Sequence, residues 1–110
     1  MVYRFDLNKR FYKLVAANSS EFYDYIPNIG ETVFLVNAGV SSSAAPQTAA
    51  LIVWDVIGTP EILMSTYAET SQTNLNKTLI GDGVKILRIS LVNDLSESVH
   101  MGGYWQGEQI

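Results

Sequence analysis

The chain has 110 residues, no cysteine, a net charge of −4 and 16% charged side chains, against about 25% in ordinary globular domains. That length fits one domain able to bury a core unaided, and the missing thiols exclude disulfides, thiolate metal sites and cysteine nucleophiles. Residues 1–13 carry Arg4, Lys9, Arg10 and Lys13 against Asp6, while the remainder is net −7. This distribution argues against nucleic-acid binding, whose affinity comes largely from phosphate neutralisation.

The apolar pattern has period two almost throughout. In "VYRFDL", Tyr3, Phe5 and Leu7 face one way and Arg4 and Asp6 the other. "RFYKLVAA" sets Tyr12, Leu14 and Ala16 against Phe11, Lys13 and Val15, and its aromatic and β-branched content favours a strand. "NSS" punctuates it, and "EFYDYIPNIG" runs extended into Pro27 and turns through Gly30. "ETVFLVNA" is apolar on both faces, as in a central strand. The uncharged stretch 39–50, "GVSSSAAPQTAA", has no periodicity and is expected to be the longest loop.

"LIVWDVI" and "ILMSTYA" are expected to pair across Gly58-Thr59-Pro60-Glu61, and "ETSQTN" reads as polar linkage. "LNKTLI" and "VKILRISLV" flank Gly81-Asp82-Gly83, the strongest hairpin signal in the chain. Leu87, Ile89 and Leu91 are predicted inward, with Arg88 and Ser90 outward. Asn93-Asp94 ends that strand and "VHMGGYW" supplies a last one. The layout predicts a single all-β domain over 1–110, an antiparallel β-sandwich of about eight short strands resembling a jelly roll.

Candidate chemistry is thin. In the last strand Met101 and Trp105 read as core, and His100, Gly102, Tyr104 and Gln106 share the opposite face. The glycines there mark either a kink covered by a cross-strand aromatic or a flat contact patch built on His100, Tyr104 and Gln106. His100 has no serine in a nucleophile-elbow context to serve. Asp82, Asn93, Asp94 and Glu97 could gather around calcium, but turn chemistry explains all four. Asp55 and Glu61 invite a paired-carboxylate reading, against which Asp55 reads as a strand-end hydrogen-bond acceptor. No phosphate loop is present. The expectation is therefore no enzyme, no cofactor and no metal.

Seven of the twelve aromatic residues fall within the first 25 positions. Phe5, Phe11 and Phe22 are expected in the core. Tyr23 and Tyr25 share one face and read either as an interface anchor or as rim residues of their own core. Arg4, Lys9, Arg10 and Lys13 make residues 1–13 a candidate basic inter-subunit segment. In texture the chain resembles small all-β virion components of tailed bacteriophages, with "GDGVKILRISLVND" and "GGYWQG" as the most family-like pieces. That resemblance implies a structural decoration, connector or tail role among other protein subunits, as homo-oligomer or viral assembly. The alternative is a carbohydrate-binding sandwich stacking glycans on Trp105, Tyr104 or the Tyr23/Tyr25 pair. With no apolar leader and no long apolar run, the chain is expected to be cytoplasmic when made, without membrane or nucleic-acid partners.

Overall fold

The computed structural model describes residues 5–44, 47–66 and 71–109. Tyr3 and Arg4 lie outside them, as does the side chain of Phe5. The described residues form nine strands and no helix: β1 Phe5–Asp6, β2 Lys9–Val15, β3 Ser19–Tyr25, β4 Thr32–Ser42, β5 Ala49–Trp54, β6 Glu61–Ser65, β7 Ser71–Ile80, β8 Leu87–Asn93 and β9 Val99–Gln109. No helix among them is long and apolar enough to cross a membrane.

All described pairings are antiparallel and fall into two sheets. One runs β2-β9-β4-β7 and the other β3-β8-β5-β6. β1 and β2 are successive pieces of a single edge, pairing with β9 from Phe5↔Gln109 through Lys9↔Trp105 to Val15↔Val99. Eight strand positions therefore carry the fold, and its spatial order is that of a jelly roll. Successive strands alternate between sheets except at β5 and β6, which pair as a hairpin.

The core lies between the sheets. Val15, Val33, Leu35, Ala38, Val40, Leu79, Met101 and Trp105 enter it from the first; Ala50, Ile52, Trp54, Leu87, Ile89 and Leu91 enter from the second. The alternation read in β8 holds: Leu87, Ile89 and Leu91 are fully buried while Arg88 and Ser90 are not. In β4 the period breaks between Leu35 and Asn37, where the register shifts against both neighbours. Leu35 and Ala38 thereby both reach the core. Gly107 serves this irregularity, because a Cβ there would overlap the Phe34 carbonyl.

Several expectations are corrected. Gly81-Asp82-Gly83 makes no hairpin: β7 pairs with β4 in the first sheet and β8 with β3 and β5 in the second. The turn is genuine, with Gly83 at φ 82° and the Asp82 carboxylate accepting from the N–H groups of Val84 and Lys85. It carries the chain across the roughly 10 Å between sheets instead of back along its own. The supposed loop 39–50 shrinks to residues 43–48, because β4 runs on through Ser42 and β5 starts at Ala49. "ETSQTN" contributes its last four residues to β7, and the β5–β6 connection spans residues 55–60, with Glu61 already in β6. Phe22 is 54% exposed, because its neighbour Tyr23 takes the inward position. The Arg88 guanidinium covers its ring at 4.2 Å.

Candidate functional site

The outer face of the first sheet gathers part of the sequence-predicted set. Cross-strand register places Arg10 opposite Tyr104, Tyr12 opposite Gly102 and Leu14 opposite His100. On the other flank of β9, Gly39 lies opposite Tyr104 and Ser41 opposite Gly102. The ring of Tyr12 occupies the space over Gly102, and the ring of Tyr104 the space over Gly39. The covered-glycine reading of "HMGGYW" thus holds, and it leaves two rings laid across the sheet. The Arg10 guanidinium straddles them, 5.4 Å from the Tyr12 centroid and 5.8 Å from that of Tyr104. Beside Tyr12 a shallow cavity of about 250 Å³ is bounded by Leu14, Ser41 and His100. His100, Arg10 and Gln106 are exposed, and Tyr104 is half-buried.

Lys9, Lys13, Tyr23 and Tyr25 do not join this face. The Lys9 ammonium sits 4.1 Å over the Tyr23 ring, and Lys13 pairs with Glu21 at 3.3 Å. Tyr23 packs between Phe11 and Trp105, at centroid distances of 6.1 and 6.0 Å. The Tyr25 hydroxyl donates to Glu31 and lies 3.3 Å from the Gln109 carboxamide oxygen. Burial, then the Glu31 carboxylate, pushes the Tyr25 pKa well above its ordinary value of 10.0. From residue 5 onward the leading basic segment is therefore an edge strand, and its Lys9 and Lys13 engage their own chain. Trp105, at 1% exposure, offers no stacking surface.

The carboxylate pairs dissolve on inspection of their partners. Asp55, at φ 58°, accepts from the Thr59 N–H at 3.1 Å, and Glu61 is bound to Lys77 at 2.8 Å. Asn93 is fully buried and its amide is used up. It donates to the carbonyls of Val15, Ala16 and Glu97 at 2.8–3.1 Å and accepts from Leu95 N–H. Asp82 is held below the usual carboxylate pKa by the N–H groups of Lys85 and Val84 in its own turn. Among the described residues no three His, Asp or Glu side chains cluster as metal ligands.

A second surface escaped sequence reading. The loops 26–31, 55–60 and 81–86 all close the same end of the sandwich, since each joins strands of matching direction. They are tied together: Gly30 N–H donates to Gly81 O at 3.0 Å, Gly81 N–H to Glu31 O at 2.8 Å, Gly83 N–H to Pro27 O at 3.1 Å, and Asp55 N–H to Ile86 O at 2.9 Å. From this end project Ile29 (83% exposed), Ile57 (72%), Ile80 (63%), Val84 (62%) and Ile26 (49%). The opposite end presents Asn18, Ser43, Gln47, Asp94, Ser96 and Glu97.

No family model matches this sequence, and no curated protein matches it. Among solved structures the chain is similar to the Drosophila NLP core, whose structure is described in terms of pentamer formation and histone binding. The identity is 10% and the TM-score 0.48, over 92% of this chain and 97% of that one.

The five aliphatic residues of the apolar end were missed for a simple reason. Ile29 and Val84 sit within turn sequences and Ile26, Ile57 and Ile80 close apolar runs against Pro27, Gly58 and Gly81, and only the jelly-roll crossovers bring the loops carrying residues 29, 57 and 84 to one end. Tyr12 and Leu14 were read as one face of a strand, but nothing in the sequence says that this face looks outward.

Proposed function

We propose that this protein is a non-catalytic structural subunit that packs against other protein subunits, copies of itself first among them. The observation that carries the reading is the apolar end. Four aliphatic side chains from three loops held together by backbone hydrogen bonds, and Ile80 at the end of β7, are each about half exposed or more. Exposed apolar side chains gathered at one end of a domain are the kind of surface that marks interaction sites in soluble proteins. Isolated exposed aliphatics are ordinary; their convergence on one end is not.

The low charge density supports the same reading, since uncharged surface costs less to desolvate on contact. Asp55, Glu61 and Asn93 each have a structural explanation, which supports a protein without a reactive centre. The virion setting, as a decoration, connector or tail component made in the cytoplasm, rests on the resemblance of "GDGVKILRISLVND" and "GGYWQG" to phage structural proteins. Sedimentation velocity across a dilution series tests the proposal. Mass that rises with concentration is expected, and a monomer at every concentration contradicts it.

A further inference from the structure

We propose that the outer face around Arg10, Tyr12 and His100 is a binding site for an acidic saccharide, with the sugar carboxylate on the Arg10 guanidinium and its pyranose ring against the exposed part of the Tyr12 ring. Three observations lead there.

The first concerns charge. Lys13 lies on Glu21, Lys77 on Glu61 and Arg88 on Asp24, while Lys9 lies on the Tyr23 ring. Arg10 is likewise held by rings. It contacts two ring systems but no carboxylate among the described residues. A guanidinium is a planar fork of donors suited to bidentate carboxylate recognition, and here that fork is exposed and has no carboxylate partner among the described residues.

The second concerns the floor. Tyr12 is fixed over Gly102 yet remains 48% exposed. A ring held in place by its own sheet loses little conformational freedom when something stacks on it. The C–H face of a pyranose is apolar and matches an aromatic face, while its hydroxyls point to the rim.

The third concerns that rim. Ser41 and His100 bound the cavity of about 250 Å³ beside Tyr12. Neither side chain is engaged in a hydrogen bond among the described residues. A hydroxyl and an imidazole there can donate to and accept from sugar hydroxyls. A neutral glycan would leave Arg10 without a partner, so the carboxylate sets the ligand class. This site is separate from the apolar end and does not rest on the assembly reading.

Titration calorimetry and amide NMR with sialyllactose and a hyaluronan tetrasaccharide test the inference, with lactose as the neutral control and acetate as the bare carboxylate. Saturable binding with a Kd of about 1 mM or tighter is expected for at least one acidic probe. Shifts should centre on residues 10–14, Ser41 and 100–104. Arg10→Ala should weaken binding at least tenfold and Tyr12→Phe should preserve it, while Glu61→Gln leaves it unchanged. No saturation by either acidic probe overturns the inference, as does equal binding of lactose or acetate. An Ile29→Ser/Ile57→Ser/Val84→Ser variant is expected to bind the probes like the parent, so assembly and saccharide binding fail separately.

Discussion

The ring of Tyr12 lies across Gly102, its cross-strand partner on β9, and fills the volume that any side chain at that position would need. Gly102→Ala must therefore displace a ring or bend the central strand. A loss of about 1–3 kcal/mol in urea unfolding is expected, the usual cost of overfilling a packed site. Adding Tyr12→Ala should relieve the clash, so the double variant loses less than the sum of the two single changes. Strict additivity would show that the ring does not occupy that space.

Asn93 joins the end of β8 to the β2 terminus and to the turn before β9. Its amide has four backbone partners in a fully buried setting. Asn93→Ala strands those groups, and a destabilisation of about 1–3 kcal/mol is expected from unsatisfied buried polar atoms. Calcium should not change the thermal midpoint of the parent protein, because the candidate ligand Asn93 is fully buried with its amide engaged by four backbone groups. A calcium-dependent rise in that midpoint would reject this assignment.

Tyr25 titrates above its ordinary value because burial and Glu31 disfavour its phenolate. A raised native pKa means the unfolded chain releases the proton first. The associated stability is whole below about pH 10 and is lost as pH climbs from there toward the native value. Parent stability should fall more steeply above pH 10 than that of Tyr25→Phe, by denaturant titration at each pH. Parallel curves would contradict the Tyr25–Glu31 contact.

Much of the architecture was legible because burial imposes a period of two on any strand with one wet face. β8 and β9 were readable on that ground, down to the inward set Leu87, Ile89, Leu91, Met101 and Trp105. The β7–β8 connection was not. A Gly-Asp-Gly turn specifies local backbone direction, whereas the sheet that receives the next strand depends on partners distant in sequence. The end of β4 was misread for a related reason. Gly39, Ser41 and Ser42 carry no apolar periodicity, yet they belong to a strand because β9 pairs with all three, β7 pairs with Gly39 from the other side, and Tyr104 roofs Gly39. Of the predicted contact residues, Arg10, His100, Tyr104 and Gln106 share a face. Lys9 and Lys13 alternate with Arg10 and Tyr12 along β2 and so take its other face, and Tyr23 and Tyr25 lie on β3 in the second sheet.

The apolar end invites the most direct experiment. Ile29, Ile57 and Val84 are largely solvent-exposed in the isolated chain, so serine at all three should change folding stability by no more than about 0.5 kcal/mol per site. Sedimentation velocity of this triple variant beside the parent, over the same dilution series, separates folding from association. We expect the parent to gain mass with concentration and the variant to remain a folded monomer. A variant that associates as strongly as its parent would contradict the assignment of this end as the contact surface.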